Sequence, residues 1–226
     1  MNNKNRVVII AAHPDDEILG CGGTAALHVK NGDEVFNIIF CEGESHRYKD
    51  GSVNQDNFIE KASQIIGVTE TRHLKFPDQH LDQYSLVEII DPLLMNIRDI
   101  KPNIIYCQFG GDINRDHKIL FEAALVATRP VEEYIDKIYA FDTASSTEWS
   151  YPRNFVPDTW VDISGVLDIK LRAMECYESE LKKYPHPRSL KALEYKSKAW
   201  GNQCCLEAAE VFMTIRRIVR YGKTNF

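Results

Sequence analysis

The chain has 226 residues, a formal net charge of −6 and 44% hydrophobic residues, which fits one globular domain spanning residues 1–226. An acidic chain without a basic run does not match a nucleic-acid-binding protein, whose affinity depends on neutralising phosphates. No apolar run has the length of a membrane span or the form of a signal peptide, so we expect a cytoplasmic protein.

Apolar runs and helical patterns alternate through the first two thirds of the chain. Strands are predicted at about 6–12, 34–41, 72–76, 103–107 and 137–141, and helices at about 16–30, 56–66, 85–100 and from His117 to 128. Pro92 lies inside the third helix and predicts a kink or a break there. The alternation predicts an α/β fold: a Rossmann-like, doubly wound, mostly parallel sheet with helices on both faces.

Beyond Thr143 the strand–helix alternation stops. An apolar stripe from Leu167 to Leu181 predicts one helix, and a second stripe from Leu190 to Ile215 predicts another. We therefore expect a helical C-terminal extension.

One histidine and two aspartates stand where the first strand ends. The buried run Val7–Ile10 leads to His13, Asp15 and Asp16, and a helix follows. Ligands bind at this edge of open parallel sheets, and imidazole with carboxylate is suited to first-row divalent metals. The alternative is that the acidic residues only cap the helix.

Polar residues also follow the later strands of the predicted sheet. Glu42 follows the second strand, Asp78 the third and the segment Asp112–His117 the fourth. Because the carboxyl ends of parallel strands meet at one edge, we expect these groups to lie near the first motif.

His13, Asp16 and His117 would make a site with three protein ligands and an open position, the arrangement of a catalytic zinc. Such an ion lowers the pKa of bound water and polarises a carbonyl. Asp15 would lie beside the ion without binding it and could take a proton from the water.

The sequence resembles the PIG-L/LmbE-like de-N-acetylases, which remove acetyl groups from N-acetylglucosamine-type sugars. Its first motif is AHPDDEILGCGGT, Ala12 to Thr24, and its second is DINRDH, Asp112 to His117. The segments HPRS, starting at His186, and AAEVF, starting at Ala208, extend the resemblance over nearly the whole chain.

The resemblance implies a zinc-dependent hydrolase of linear amide bonds, with Zn²⁺ held by His13, Asp16 and His117 and with Fe²⁺ as the alternative ion. It implies Asp15 as the general base. The implied partner is a small-molecule N-acyl amino sugar or glycoconjugate substrate, and assembly into a homo-oligomer is a further implication.

The chain departs from the family pattern at Asn114, where several members carry a second histidine that stabilises the oxyanion or protonates the amine. Asn114 donates hydrogen bonds but cannot act as a general acid. His186 is the candidate replacement, and Asp15 shuttling the proton both ways is the alternative. The loop of His186 also fits a helix connector in which Ser189 is an N-cap.

Four other residues are candidates for contacts around the site. Asp116 is expected to orient a ligand histidine or a sugar, or else to cap its helix. Asp78 is expected to accept hydrogen bonds from sugar hydroxyls, with a plain turn residue as the alternative. Arg47 and Arg188 are candidate substrate contacts, although most such side chains are merely solvated.

Three other functions fit parts of the pattern. A dinucleotide-binding domain would need its glycines in the strand–helix turn, whereas Gly20, Gly22 and Gly23 fall later and the turn is acidic. A metal-dependent phosphoesterase and a non-catalytic sugar-binding protein fit the same scaffold.

Overall fold

The computed structural model describes residues 4–46, 48 and 53–220, which form seven strands and six α-helices. The strands are β1 (Arg6–Ala11), β2 (Glu34–Cys41), β3 (Glu70–Phe76), β4 (Ile104–Gln108), β5 (Lys137–Phe141), β6 (Thr159–Asp162) and β7 (Ala209–Arg217). The helices are α1 (Asp16–Lys30), α2 (Gln55–Ile66), α3 (Leu86–Ile100), α4 (Arg115–Ala127), α5 (Leu167–Glu175) and α6 (Leu190–Asn202). Within the described ranges, none of these helices has both the length and the apolar character needed to cross a membrane.

The strands form one sheet in the order β3-β2-β1-β4-β5-β7-β6. Strands β1 to β5 are parallel to one another, whereas β7 runs antiparallel between β5 and β6. The mostly parallel α/β sheet predicted from the alternation is confirmed. The order changes direction at β1 and β4, so a crevice opens beyond the carboxyl ends of these central strands.

Successive residues of β1 face opposite sides of the sheet. Val7 and Ile9 are buried in one apolar cluster, with residues from α1, α2, α5 and α6, and Val8 and Ile10 are buried in another, with residues from α3 and α4. Burying each such side chain contributes about 1.5–3 kcal/mol. The helices therefore cover both faces, as predicted, and β1 is held rigidly at the centre.

The glycine-rich part of α1 packs closely against the C-terminal half of the chain. A Cβ added at Gly20 would lie 2.1 Å from the Phe141 ring. The helix is interrupted at Cys21 (φ −147°, ψ 25°), and two backbone N–H groups beyond it, those of Gly23 and Thr24, donate to the buried Glu210 carboxylate of β7. Close packing thus explains the glycines that weaken this helix.

Two predicted features of the helices differ from the structure. Helix α3 runs unbroken through Pro92, so of the predicted kink or break, the break is wrong. The second C-terminal helix ends at Asn202; of the rest of its predicted stripe, Cys204 and Ala208 lie in the turn that follows, and Phe212 and Ile215 lie in β7. A Cβ at Gly201 would meet the Leu206 carbonyl oxygen at 2.6 Å, because the chain turns back sharply there. The extension is therefore two helices, α5 and α6, followed by a strand that completes the sheet beside β6.

Candidate active site

Three side chains from two strand ends meet at the carboxyl edge of the sheet. His13 and Asp16 follow β1, and His117 lies in the first turn of α4, which follows β4. His13 Nδ1 lies 3.2 Å from Asp16 Oδ2 and 3.2 Å from His117 Nε2, and these last two atoms are 3.3 Å apart. We call these three atoms the ligand triangle.

The ligand triangle has the dimensions of a metal site. Ligand atoms about 2.0–2.1 Å from a tetrahedral zinc lie about 3.3 Å from one another. All three residues are buried, and Asp16 Oδ1 has no hydrogen-bond partner among the described residues. A buried carboxylate oxygen without a partner is costly unless a cation approaches it. The residues present therefore fit a divalent ion.

A second carboxylate lies behind each histidine. His13 Nε2 is 3.0 Å from Asp116 Oδ2, and His117 Nδ1 is 3.1 Å from Asp112 Oδ2. Asp112 also accepts a hydrogen bond from the Thr147 hydroxyl at 2.9 Å. Such contacts fix the tautomer and the orientation of metal-binding histidines.

The pKa shifts show a strong preference for positive charge at the centre of the site. Burial raises the pKa of Asp16, but the neighbouring His117 and His13 outweigh it and hold the pKa well below its usual value. Burial lowers the pKa of His13, yet its hydrogen bonds to Asp116 and Asp16 raise the pKa well above its usual value. Carboxylates surround the triangle, so either protons or a cation must balance them.

Asp15 lies beside the triangle in a strained conformation. Its φ is 98° and ψ −30°, a region that non-glycine residues avoid, at a cost of about 1–3 kcal/mol. Although Asp15 occupies the N-cap position of α1, its side chain makes no capping hydrogen bond, so the cap alternative does not explain it. Burial raises the pKa of Asp15 well above its usual value, while Arg188 opposes this rise.

Arg188 is held between acidic groups at the edge of the site. Its Nη1 donates to Asp15 Oδ2 at 3.1 Å and to Glu180 Oε2 at 2.9 Å, and its Nε donates to Ser145 Oγ at 2.8 Å. The charge of Asp15 raises the pKa of Arg188. Arg188, in the loop before α6, is 173 residues from Asp15 in sequence, so it contributes to the site through tertiary packing alone.

A pocket of about 250 Å³ opens onto these groups. It is lined by His13, Asp15, His46, Gln79, Asn114 and Arg188. Asn114 Oδ1 accepts a hydrogen bond from Asp116 N at the N-terminus of α4, which leaves its amide N–H groups for other partners. His46 was not identified from the sequence, because a histidine in a long polar loop carries no periodic signal.

The structure places His186 and Asp78 away from the pocket lining. His186 Nδ1 accepts a hydrogen bond from Arg188 N at 3.1 Å, and its ring lies edge-on to Trp149. Ser189 caps α6 by accepting from Ala192 N, as the connector alternative predicted. Asp78 is fully buried, 3.4 Å from His13 Nε2, which favours orientation of that histidine over the predicted sugar contact.

The predicted substrate contact Arg47 lies outside the described residues. Glu17, which sequence reasoning did not single out, is buried under the turn and accepts from Asp15 N at 3.1 Å and from the Tyr177 hydroxyl. Burial raises the pKa of Glu17 to about 7.

Comparison with known proteins gives a consistent family. The model of the PIG-L family, described as GlcNAc-PI de-N-acetylase, matches residues 8–128, more than half of the chain. The uncharacterized deacetylase YaiS of Escherichia coli is 26% identical over 79% of this chain and 93% of its own length. The diacetylchitobiose deacetylase of Thermococcus kodakarensis is 27% identical over 79% of this chain and 71% of its own length.

Among solved structures, the fold is also shared by a protein with different chemistry. GalB, the 4-carboxy-2-hydroxymuconate hydratase of Pseudomonas putida KT2440, has a TM-score of 0.75 and covers 97% of this chain and 100% of its own, at 18% identity. The fold alone therefore does not fix the reaction, which has to be argued from the site.

Proposed function

The chain belongs to the PIG-L family, described as GlcNAc-PI de-N-acetylase, and on this premise we propose that it is a metal-dependent hydrolase that removes an acetyl or other acyl group from an N-acylated amino sugar or its conjugate. The relative that acts on diacetylchitobiose supports an amino-sugar substrate. The observation that carries the proposal is the buried ligand triangle with Asp15 beside it and an open pocket in front.

In this proposal His13, Asp16 and His117 hold a divalent ion, zinc or iron(II). When bound, the ion lowers the pKa of a water molecule and polarises the acyl carbonyl. Asp116 accepts a hydrogen bond from the outward nitrogen of His13, and the Asp112 carboxylate lies 3.1 Å from the outward nitrogen of His117. These carboxylates keep the two inward nitrogens, His13 Nδ1 and His117 Nε2, unprotonated and oriented for binding the ion.

Asp15 is the proposed general base. Its carboxylate lies next to the triangle but outside it, and a base works best when its pKa approaches the working pH. Burial raises the pKa of Asp15 in that direction, while the Arg188 guanidinium opposes full loss of its charge. Asp15 then takes the proton of the attacking water and gives it to the leaving amine.

Asn114 and Arg188 are the proposed hydrogen-bond donors to the substrate, since both line the pocket. Neither is a general acid at neutral pH, which leaves the return of the proton to Asp15. The role of His186 as an acid stays a prediction. So does assembly into a homo-oligomer.

A direct test combines metal analysis with an assay for released amines over N-acetylated sugars, nucleotide sugars and thiol glycosides. The panel also contains phosphate monoesters and unsaturated carboxylic acids. Release of amine and acetate by the metal-loaded protein is the expected result. Release of phosphate, hydration of a double bond, or sugar binding without turnover would each overturn the proposal.

Variants separate the two parts of the site. Asp15→Asn should keep the metal and lose about 10²- to 10⁴-fold in rate, while the exposed Asp168→Asn keeps both. His13→Ala and His117→Ala should lose the metal, whereas His28→Ala, at the opposite edge of the sheet, should keep it. Near-normal turnover by Asp15→Asn would refute the base assignment.

A further inference from the structure

The outward face of His13 carries its own set of metal-binding groups. His13 Nε2 lies 3.0 Å from Asp116 Oδ2, and the Cys41 thiol lies 3.6 Å from the same oxygen. These three ligand atoms all lie within 4.8 Å of one another, and the three residues are buried. We call this set the outer cluster. It is distinct from the ligand triangle, which uses Nδ1 of the same ring.

The separations suit a metal that prefers sulfur. With Zn–S at about 2.3 Å and Zn–O at about 2.0–2.2 Å, a tetrahedral site places sulfur about 3.5 Å from oxygen. Asp78 Oδ1, at 3.4 Å from His13 Nε2, supplies a further oxygen nearby. Thiolate, imidazole and carboxylate together select soft and borderline ions.

The Gln79 side chain lies between the pocket lining and the imidazole shared by the outer cluster. The Gln79 amide nitrogen lies 3.1 Å from His13 Nε2, and both residues line the pocket. A rotation of this glutamine, which no regular element constrains, would open a route from the pocket to the cluster. An ion that enters the pocket therefore has a short path to Cys41.

We propose that His13 Nε2, Cys41 Sγ and Asp116 Oδ2 form a second metal site that takes a thiophilic divalent ion, such as Cd²⁺ or excess Zn²⁺, and that its occupation inhibits the enzyme. Only the inhibition rests on the proposed function. On binding, the Cys41 Sγ–H proton passes to solvent, and the proton on His13 Nε2 moves to Nδ1 of the same ring. The ion accepts one electron pair each from the sulfur, the nitrogen and the carboxylate oxygen.

Inhibition follows from the chemistry of the shared ring. A neutral imidazole has one nitrogen with a free lone pair and one that carries a proton. An ion on Nε2 of His13 therefore leaves a proton on Nδ1, and the ligand triangle loses one of its three donors. The ligand triangle and the outer cluster therefore cannot both be occupied by an ion, because both need the His13 imidazole.

The test uses the full chain with its three least buried cysteines, Cys176, Cys204 and Cys205, replaced by serine, so that these thiols do not bind the ion. The metal-free protein is titrated with Cd²⁺ and followed by the ultraviolet absorption of the cadmium–thiolate bond. We expect an absorption band that saturates. Its absence would overturn the proposal.

Two further variants locate the ion. Cys41→Ser should abolish the band and weaken Cd²⁺ binding by at least about 10- to 100-fold. Cys107→Ser, which removes another buried thiol from the sheet, should leave both unchanged. His117→Ala removes one corner of the ligand triangle but leaves the outer cluster, so it should keep the band. A band that survives Cys41→Ser, or one that disappears with His117→Ala, would overturn the assignment.

Activity gives a separate readout. Amine release by the zinc-loaded enzyme should be inhibited by Cd²⁺, and Cys41→Ser should raise the inhibitory concentration at least about 10-fold. Equal inhibition of the parent and Cys41→Ser would refute the inhibitory role. If no substrate is turned over at all, the proposed function fails, whereas the absorption titration still decides whether the site exists.

Discussion

Replacing Arg188 by alanine is the most direct test of how the C-terminal loop supports the site. The guanidinium bonds to Asp15 and Glu180, whose side chains are 2% and 0% exposed, and is itself 16% exposed. Removing one partner of a buried ion pair costs about 3–5 kcal/mol, because buried charge is left uncompensated. Since the arginine touches solvent, we expect the lower end, about 3 kcal/mol.

For a chain of this size, such a loss lowers the melting temperature by about 6–12 °C. The rate should also fall, because the carboxylate of Asp15 is no longer held by its charged partner. A misplacement near 1 Å costs about 100-fold in rate. Calorimetry and steady-state kinetics measure the two effects separately. Arg188→Lys, which keeps the charge but not the forked geometry, should recover part of the stability.

The surface variant Arg172→Ala is the matched control, because its ion pair with Asp168 is exposed and contributes little. The reasoning is refuted if Arg188→Ala matches this control in both melting temperature and kcat. If stability falls while both kcat and KM hold, Arg188 has only a structural role.

Three further predictions concern stability. Gly20→Ala should destabilise by about 1–3 kcal/mol in thermal unfolding, although alanine favours helices, because the added methyl meets the Phe141 ring. Asp33→Asn should cost about 1–3 kcal/mol at pH 7 in urea unfolding, since it loses the charged hydrogen bond to His28. Burial raises the pKa of Asp33, but the hydrogen bond to His28 lowers this pKa overall. The stabilisation from this bond should therefore be present above about pH 3.9, the pKa of Asp33 in the unfolded chain. It should fade as the pH falls through the lower pKa of the folded state. Ser189→Ala should cost about 1 kcal/mol, measured by urea unfolding, because α6 loses its N-cap.

Each of these has an outcome that would contradict it. Gly165 has open space around its Cβ position, so Gly165→Ala controls for the loss of a glycine; a Gly20→Ala protein as stable as this control would contradict the packing account. A stability difference between Asp33→Asn and the parent that persists unchanged at pH 2 would contradict the pKa direction. If Ser189→Ala is as stable as the parent, Ser189 does not stabilise α6 as its N-cap.

The sequence alone was enough for the central sheet and for the candidate ligands. Runs such as Val7–Ile10 are buried on both faces, and a fully apolar run is a strong local signal. His13 and Asp16 follow one such run, and His117 follows another. Parallel strands bring their carboxyl ends together, so the convergence of these residues could be deduced before any coordinates.

Only the tertiary structure decided the remainder, because those features depend on contacts between distant segments. The segment that contains Phe212 and Ile215 has apolar spacings of three and four residues, which fit a helix. It also has alternating side chains and β-branched residues, which fit a strand. Pairing with the free edge of β5 selected the strand. The contact of Arg188 with Asp15 spans 173 residues, and the approach of Cys41 to Asp116 spans 75. Local periodicity records which face a residue lies on, but not which side chain of another element will lie opposite it.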